Sequence, residues 1–164
     1  MISEILTQKL EELMSQKDHV VIAIDGPGHE AGAALALELQ QKYKCNVFHT
    51  SNYNRPADEL TPEVLGTPGG KLDWQRLKTE VIEPLKEGKD VVFRVFSFVA
   101  MAYMPAMPAP AKKLNIIEGV YSLHPELRPL YDLAVFVPAN GGAFANEQEA
   151  LYYNGVDVKP DIVL

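Results

Sequence analysis

The residues best placed to do chemistry follow the apolar run His19-Val20-Val21-Ile22-Ala23-Ile24, where Asp25-Gly26-Pro27-Gly28 makes a turn ahead of a helix-forming stretch. A strand, a glycine-rich turn and a helix are what a phosphate-binding loop requires: the turn aims backbone N–H groups at an anion and the helix dipole adds to the attraction. Gly26, Gly28, His29 and Gly32 are the residues such a loop would use. Measured against G-x-x-x-x-G-K-[ST], residues 26–33 depart at three positions: Ala31 stands for the second glycine, Gly32 for the lysine and Ala33 for the hydroxyl. The lysine would spread positive charge over the β- and γ-phosphates and the hydroxyl would ligate magnesium. Glu30 adds negative charge beside the amides, and the alternative frame through Gly28 and Gly32 also lacks a following Lys, Ser or Thr. The loop reads as vestigial, and no catalytic residue is assigned.

Other titratable groups are weaker candidates. Glu118 ends an apolar strand, but one carboxylate without a Ser/Thr or Asp partner makes a poor magnesium site, so a capping or hydrogen-bonding role is expected ahead of an ion contact. Asp25 reads first as a turn former. His29 reads as a solvated loop residue ahead of an anion donor, and His49 as a hydrogen-bonded or core histidine ahead of a ligand contact. The four histidines and Cys45 show no metal-ligand spacing, so no metal is expected. Arg128 is expected to pair with Asp132 across one helical turn, with substrate contact as the alternative. Trp74, Tyr152 and Tyr153 read as packing residues.

These groups need a scaffold. Ile2, Ile5, Leu6, Leu10, Leu13 and Met14 form one helical stripe with Ser3 as N-cap, and AGAALALELQQKY predicts a second helix after the turn. Strands are expected at 46–49, 90–96, 114–118, 133–137 and 161–164, with helices at 74–86, capped by Asp73, and 147–153. Ser122 is expected to cap a short helical turn. Residues 50–70 form a long Pro/Gly-rich excursion. Pro105, Pro108 and Pro110 preclude a helix there, and Met101, Tyr103, Met104 and Met107 are expected to pack locally, with an adaptable contact surface as the alternative. Alternating strands and helices imply a three-layer α/β/α fold with a mostly parallel sheet, whose ligands bind beyond the carboxyl ends of the strands.

Across nearly its whole length the chain resembles the uridine kinase and phosphoribulokinase-like family of P-loop kinases, carried by VVIAIDGPGHEAGAALALEL, VFHTSNYN, PGGKLDWQRLKTEVIEPLKEG and NIIEGVYSLHPELRPLYDLAVFV. The resemblance implies a P-loop NTPase-like fold spanning 1–164 as a single domain and a substrate cleft at His49, Asn52, Tyr53, Glu118 and Arg128. It places the family's aspartate pair on Ser51 and Asn52, neither able to accept a proton at neutral pH, and its Tyr-Asp substrate pair on Phe96 and Ser97. The family's arginine-rich lid is missing near 138–142, where Asn140-Gly141-Gly142 makes a tight linker, and no arginine follows Arg128.

Size and composition bound the rest. At 164 residues the chain suits one core, and a net charge of -7 without a basic cluster argues against nucleic acid and anionic membranes. A single cysteine and the absence of a 20-residue apolar run point to a cytoplasmic protein without a disulfide or membrane span. The leading expectation is a degenerate uridine kinase-like protein, with no cofactor, acting through binding or structure as a homo-oligomer. The alternative is ATP- and Mg-dependent phosphorylation of a nucleoside or similar hydroxyl substrate. Recognition of a small uncharged metabolite is a third, weaker option.

Overall fold

Leu6 and Leu10 lie one helical turn apart and are wholly buried, which fixes the inward face of the first helix, α1 (Glu4–Gln16). Ser3 caps it by accepting a hydrogen bond from the Leu6 amide. The computed structural model describes residues 2–139, 141 and 143–164. After α1 come β1 (Val20–Asp25), α2 (Glu30–Tyr43) and β2 (Asn46–His49). Two 3₁₀ turns, Thr50–Tyr53 and Ala57–Glu59, and the single-turn α3 (Pro62–Leu65) fill the Pro/Gly-rich excursion.

The helix expected at 74–86 begins at its Asp73 cap but runs as α4 (Trp74–Leu77), a π-turn (Lys78–Ile82) and α5 (Glu83–Lys86). Pro84 supplies a reason: it has no N–H for the Glu80 carbonyl and its ring crowds that carbonyl, so the preceding turn widens. The short strands β3 (Val91–Phe93), β4 (Phe96–Ser97), β5 (Ala102–Tyr103) and β6 (Met107–Ala109) follow, then β7 (Leu114–Glu118), β8 (Leu133–Phe136), α6 (Glu147–Gly155) and β9 (Ile162–Val163).

Five strands form one parallel sheet in the order β2-β7-β1-β8-β9. Residues of β1 alternate between its faces. Val20, Ile22 and Ile24 meet α1 and α2 through Leu6, Leu10, Leu35 and Leu39, while Val21 and Ala23 meet Leu77, Val81, Leu85 and Tyr152 on the other face. Burying each such aliphatic side chain contributes about 1.5–3 kcal/mol. Helices on both faces make the three layers expected from the sequence, a P-loop NTPase-like architecture.

Three expectations need correction. The strand expected at 90–96 does not join the parallel sheet: β3 pairs antiparallel with β6, and β4 with β5, as two small ribbons. Val92 and Arg94 face outward, so this stretch lacks the two apolar faces of an interior parallel strand. Met101, Tyr103, Met104 and Met107 are exposed rather than packed in a core. Met101 adopts φ 50, held where the chain turns between β4 and β5. Ser122 caps no helix; its hydroxyl donates to the Ile24 carbonyl, tying the chain after β7 to β1. The tight linker expected at 140–142, and with it the lid deletion, falls partly on Asn140 and Gly142, outside the described residues.

Candidate functional site

β1, β2 and β7 end side by side, bringing Asp25, His49 and Glu118 to one edge of the sheet. Asp25 is fully buried, and its carboxyl accepts four hydrogen bonds. Gly26 N and Tyr153 OH reach Oδ1 at 2.7 and 2.6 Å, while Leu123 N and Tyr152 OH each reach Oδ2 at 2.9 Å. Burial pushes the Asp25 carboxyl above its ordinary range, and the Tyr153 hydroxyl leads the four donors that pull it back. Asp25 therefore does more than shape a turn: it ties β1, the segment after β7 and α6 together. Tyr152 and Tyr153 likewise act as donors as well as packing groups.

The loop after β1 requires two of its glycines. A Cβ on Gly26 would lie 2.0 Å from the Val137 carbonyl oxygen, and Gly28 adopts φ +76. Gly32, where the motif calls for lysine, sits in the first turn of α2, and a Cβ there would come within 3.2 Å of Glu118 Oε1. Glu118 is buried, and its Oε2 lies 2.6 Å from His49 Nδ1, a pairing set by the β2–β7 register of His49 opposite Glu118. This contact holds the His49 imidazole above its ordinary range, against the opposing effect of partial burial. The two sequence candidates thus pair with one another at the strand ends, which answers the capping expectation for Glu118 with a side chain rather than with backbone N–H groups.

A feature the sequence reading missed lies above the loop. Glu149 is almost wholly buried, and its Oε2 accepts from Gly28 N at 3.3 Å and from Ala145 N at 3.0 Å. A protein carboxylate thus sits on an amide of the loop after β1. The signal was present in Asn146-x-x-Glu149: Asn146 caps α6 by accepting from Glu149 N, which places the Glu149 side chain in the first helical turn.

Beside this contact is a cleft of about 140 Å³ lined by residues that include His29, Ser51, Asn54, Lys71, Asn146 and Glu149. Lys71 is its one lysine and was also missed, although it follows the glycine pair Gly69-Gly70. Asn52 and Tyr53 do not line it. The Tyr53 side chain is buried beneath Arg76, 4.4 Å from guanidinium carbon to ring centre, and Arg76 also donates to the Asn52 carbonyl. Arg128 is remote from it as well. Its guanidinium bonds Lys159 O and Asp161 at the amino ends of β8 and β9, opposite the loop. The expected Arg128–Asp132 pair is absent: Asp132 instead accepts from Val21 N and Lys17. Among the described residues no cluster of three or more His, Cys, Asp or Glu side chains is arranged to hold a metal ion.

The fold is that of P-loop kinase-like proteins. A possible uridine kinase from Bacillus stearothermophilus superposes with a TM-score of 0.75 at 17% identity, over 97% of this chain and 98% of that one. A fructose transport system kinase candidate from Silicibacter sp. TM1040 gives 0.73 at 16% identity, over 100% and 99%. Phosphoribulokinase from Rhodobacter spheroides gives 0.57 at 14%, over 74% and 51%. In sequence, the chain is 40% identical over 137 residues to the inorganic pyrophosphatase TTM2 of Arabidopsis thaliana, a match covering 77% of this chain. It spans 19% of that relative's length. No family model matches the chain. No helix among the described residues is long and apolar enough to cross a membrane.

Proposed function

We propose that this chain is a kinase-fold protein that has lost phosphoryl transfer and works as a binding or structural module through self-association. The observation that carries the reading is the chemistry at the loop. Alanines and a glycine replace the phosphate-handling residues at 31–33, and Glu149 faces the Gly28 amide. A transferring phosphoryl group accumulates negative charge that preorganised cations and donors must stabilise, and a carboxylate at that position opposes it. Exposed Val92, Phe98, Val99, Met101, Tyr103, Met104 and Met107 supply apolar area for a second copy. Light scattering of the purified chain should show a species larger than a monomer. Calorimetry with Mg-ATP should show no binding at millimolar nucleotide; a monomer, or micromolar ATP binding, would overturn the reading.

A second reading has one observation in its favour. Lys71 lines the cleft with His29 and Ser51, so a cation from another element could face a phosphate-bearing ligand. The Arabidopsis relative is named for acting on pyrophosphate, and that ligand class suits a cleft holding a lysine. Saturable pyrophosphate binding by the native chain, lost in Lys71→Ala, would favour a phosphate-binding module. ATP-dependent phosphorylation of a hydroxyl substrate would further require a base, and Ser51 and Asn52 supply none.

A further inference from the structure

Glu149 invites a plain explanation as the third residue of a helix capped by Asn146, where a carboxylate favours the positive end of the helix dipole. That explains its contact with Ala145 N. It does not explain the contact with Gly28, which lies 121 residues away in sequence and belongs to the loop an external anion would occupy. Two further contacts press α6 onto the same place, the hydroxyls of Tyr152 and Tyr153 on Asp25, immediately before the loop. Tyr153 also stacks on Phe144, with ring centres 5.7 Å apart, so the chain entering α6 is folded back against the helix.

We infer that α6 is a built-in electrostatic plug in which the Glu149 carboxylate acts as an internal anion, holding the Gly28 amide and opposing external oxyanions at that end of the loop, which otherwise borders an open cleft lined by Pro27 to Ala31. This opposition has two parts. The carboxylate takes up the donor, and its negative charge repels a second anion across a short, partly desolvated gap. The tyrosine pair supplies the anchor, because moving α6 aside would leave the buried Asp25 carboxyl with two of its four donors.

This inference goes beyond the loss of phosphoryl transfer and does not depend on self-association. The test uses the full chain and magnesium-free pyrophosphate, with inorganic phosphate as a second probe, and compares native protein with Glu149→Ala and Glu149→Gln by calorimetry and by the amide spectrum of ¹⁵N-labelled protein. In native protein the Gly28 amide should exchange slowly and stay unmoved by pyrophosphate. Removing the carboxylate should speed its exchange and tighten pyrophosphate binding by roughly tenfold or more, with Gly28 among the signals that move. Glu149→Gln, which keeps the side chain's size and acceptor, should fall between. A folded Glu149→Ala that binds pyrophosphate no more tightly than native protein would overturn the plug. Should that variant fail to fold, the same criterion applied to Glu149→Gln decides. The measured quantity is a difference between variant and native protein, so Mg-ATP binding by the native chain would count against the proposed function while leaving the plug to be judged separately.

Discussion

At the carboxyl end of β1, polar groups are matched from within the chain: Asp25 by four donors, Glu118 by His49, and the Gly28 amide by Glu149. Across residues 92–107 the reverse holds, and a row of apolar side chains faces outward, with Val99 fully exposed and Met101 more than half so. In an enzyme of this architecture the strand ends would keep donors and charges available for a ligand. Here the strand ends are tied together by internal hydrogen bonds beside a small cleft that holds Lys71, and the apolar ribbons are left uncovered. The two regions therefore differ in kind: one matches its polar groups internally, the other leaves apolar side chains in water, which is the contrast the proposed function rests on.

The strongest way to break this comparison is to remove the centre of the knitted end. Asp25→Ala should cost about 3–5 kcal/mol in urea unfolding, because it strands two tyrosine hydroxyls and two backbone amides in buried surroundings. A loss below about 1 kcal/mol would show that the network contributes little to stability. Tyr152→Phe and Tyr153→Phe should each cost about 1 kcal/mol, and the double change should depart from the sum because both hydroxyls serve one carboxyl. Additive losses in a double-mutant cycle would mean the two hydroxyls act independently.

A smaller effect concerns the His49–Glu118 pair and has a definite sign with pH. The folded-state pKa of His49 is raised by its contact with Glu118, so its contribution to stability is fully present below its unfolded value, about 6.5, and is lost as pH rises through the folded value. His49 is nearly half exposed, which screens the pair, so the contribution should stay under about 1 kcal/mol. Native protein should therefore lose slightly more stability than His49→Gln as pH rises from about 6 to 8. Parallel stability curves for the two proteins, or an imidazole titrating below the ordinary value by NMR, would contradict the assignment.

How far these two regions could be read from sequence differs for physical reasons. The strand at 20–25, its glycine turn and the following helix were legible because their signals are local: an apolar run, turn residues and helical spacing. The Ser3 and Asp73 caps were legible for the same reason. Glu149 on Gly28 and Arg128 on Asp161 join elements far apart in the chain; the Asn146-x-x-Glu149 spacing announces the helical turn that holds Glu149 but not its partner on the loop, and nothing near Arg128 announces Asp161. The stretch at 90–96 misled because Val, Phe and Val favour a strand without naming its partner, and β6 rather than the parallel sheet supplied it. The methionine-rich stretch misled because apolar composition alone does not separate a core from an uncovered surface.

The ribbon face should respond least in stability and most in assembly. Replacing Val99, Met101 and Met104 together by serine removes one side chain that is fully in water and two that are about half so, so the urea midpoint should move by no more than about 1 kcal/mol in equivalent stability. If this face joins two copies, the same triple change should shift the chain toward monomer in light scattering, since the association draws on burying those side chains. Loss of assembly without loss of stability would separate the outward face from the knitted strand ends by experiment. Unchanged assembly would move the interface elsewhere on the molecule, and a large loss of stability would mean that these methionines support the fold.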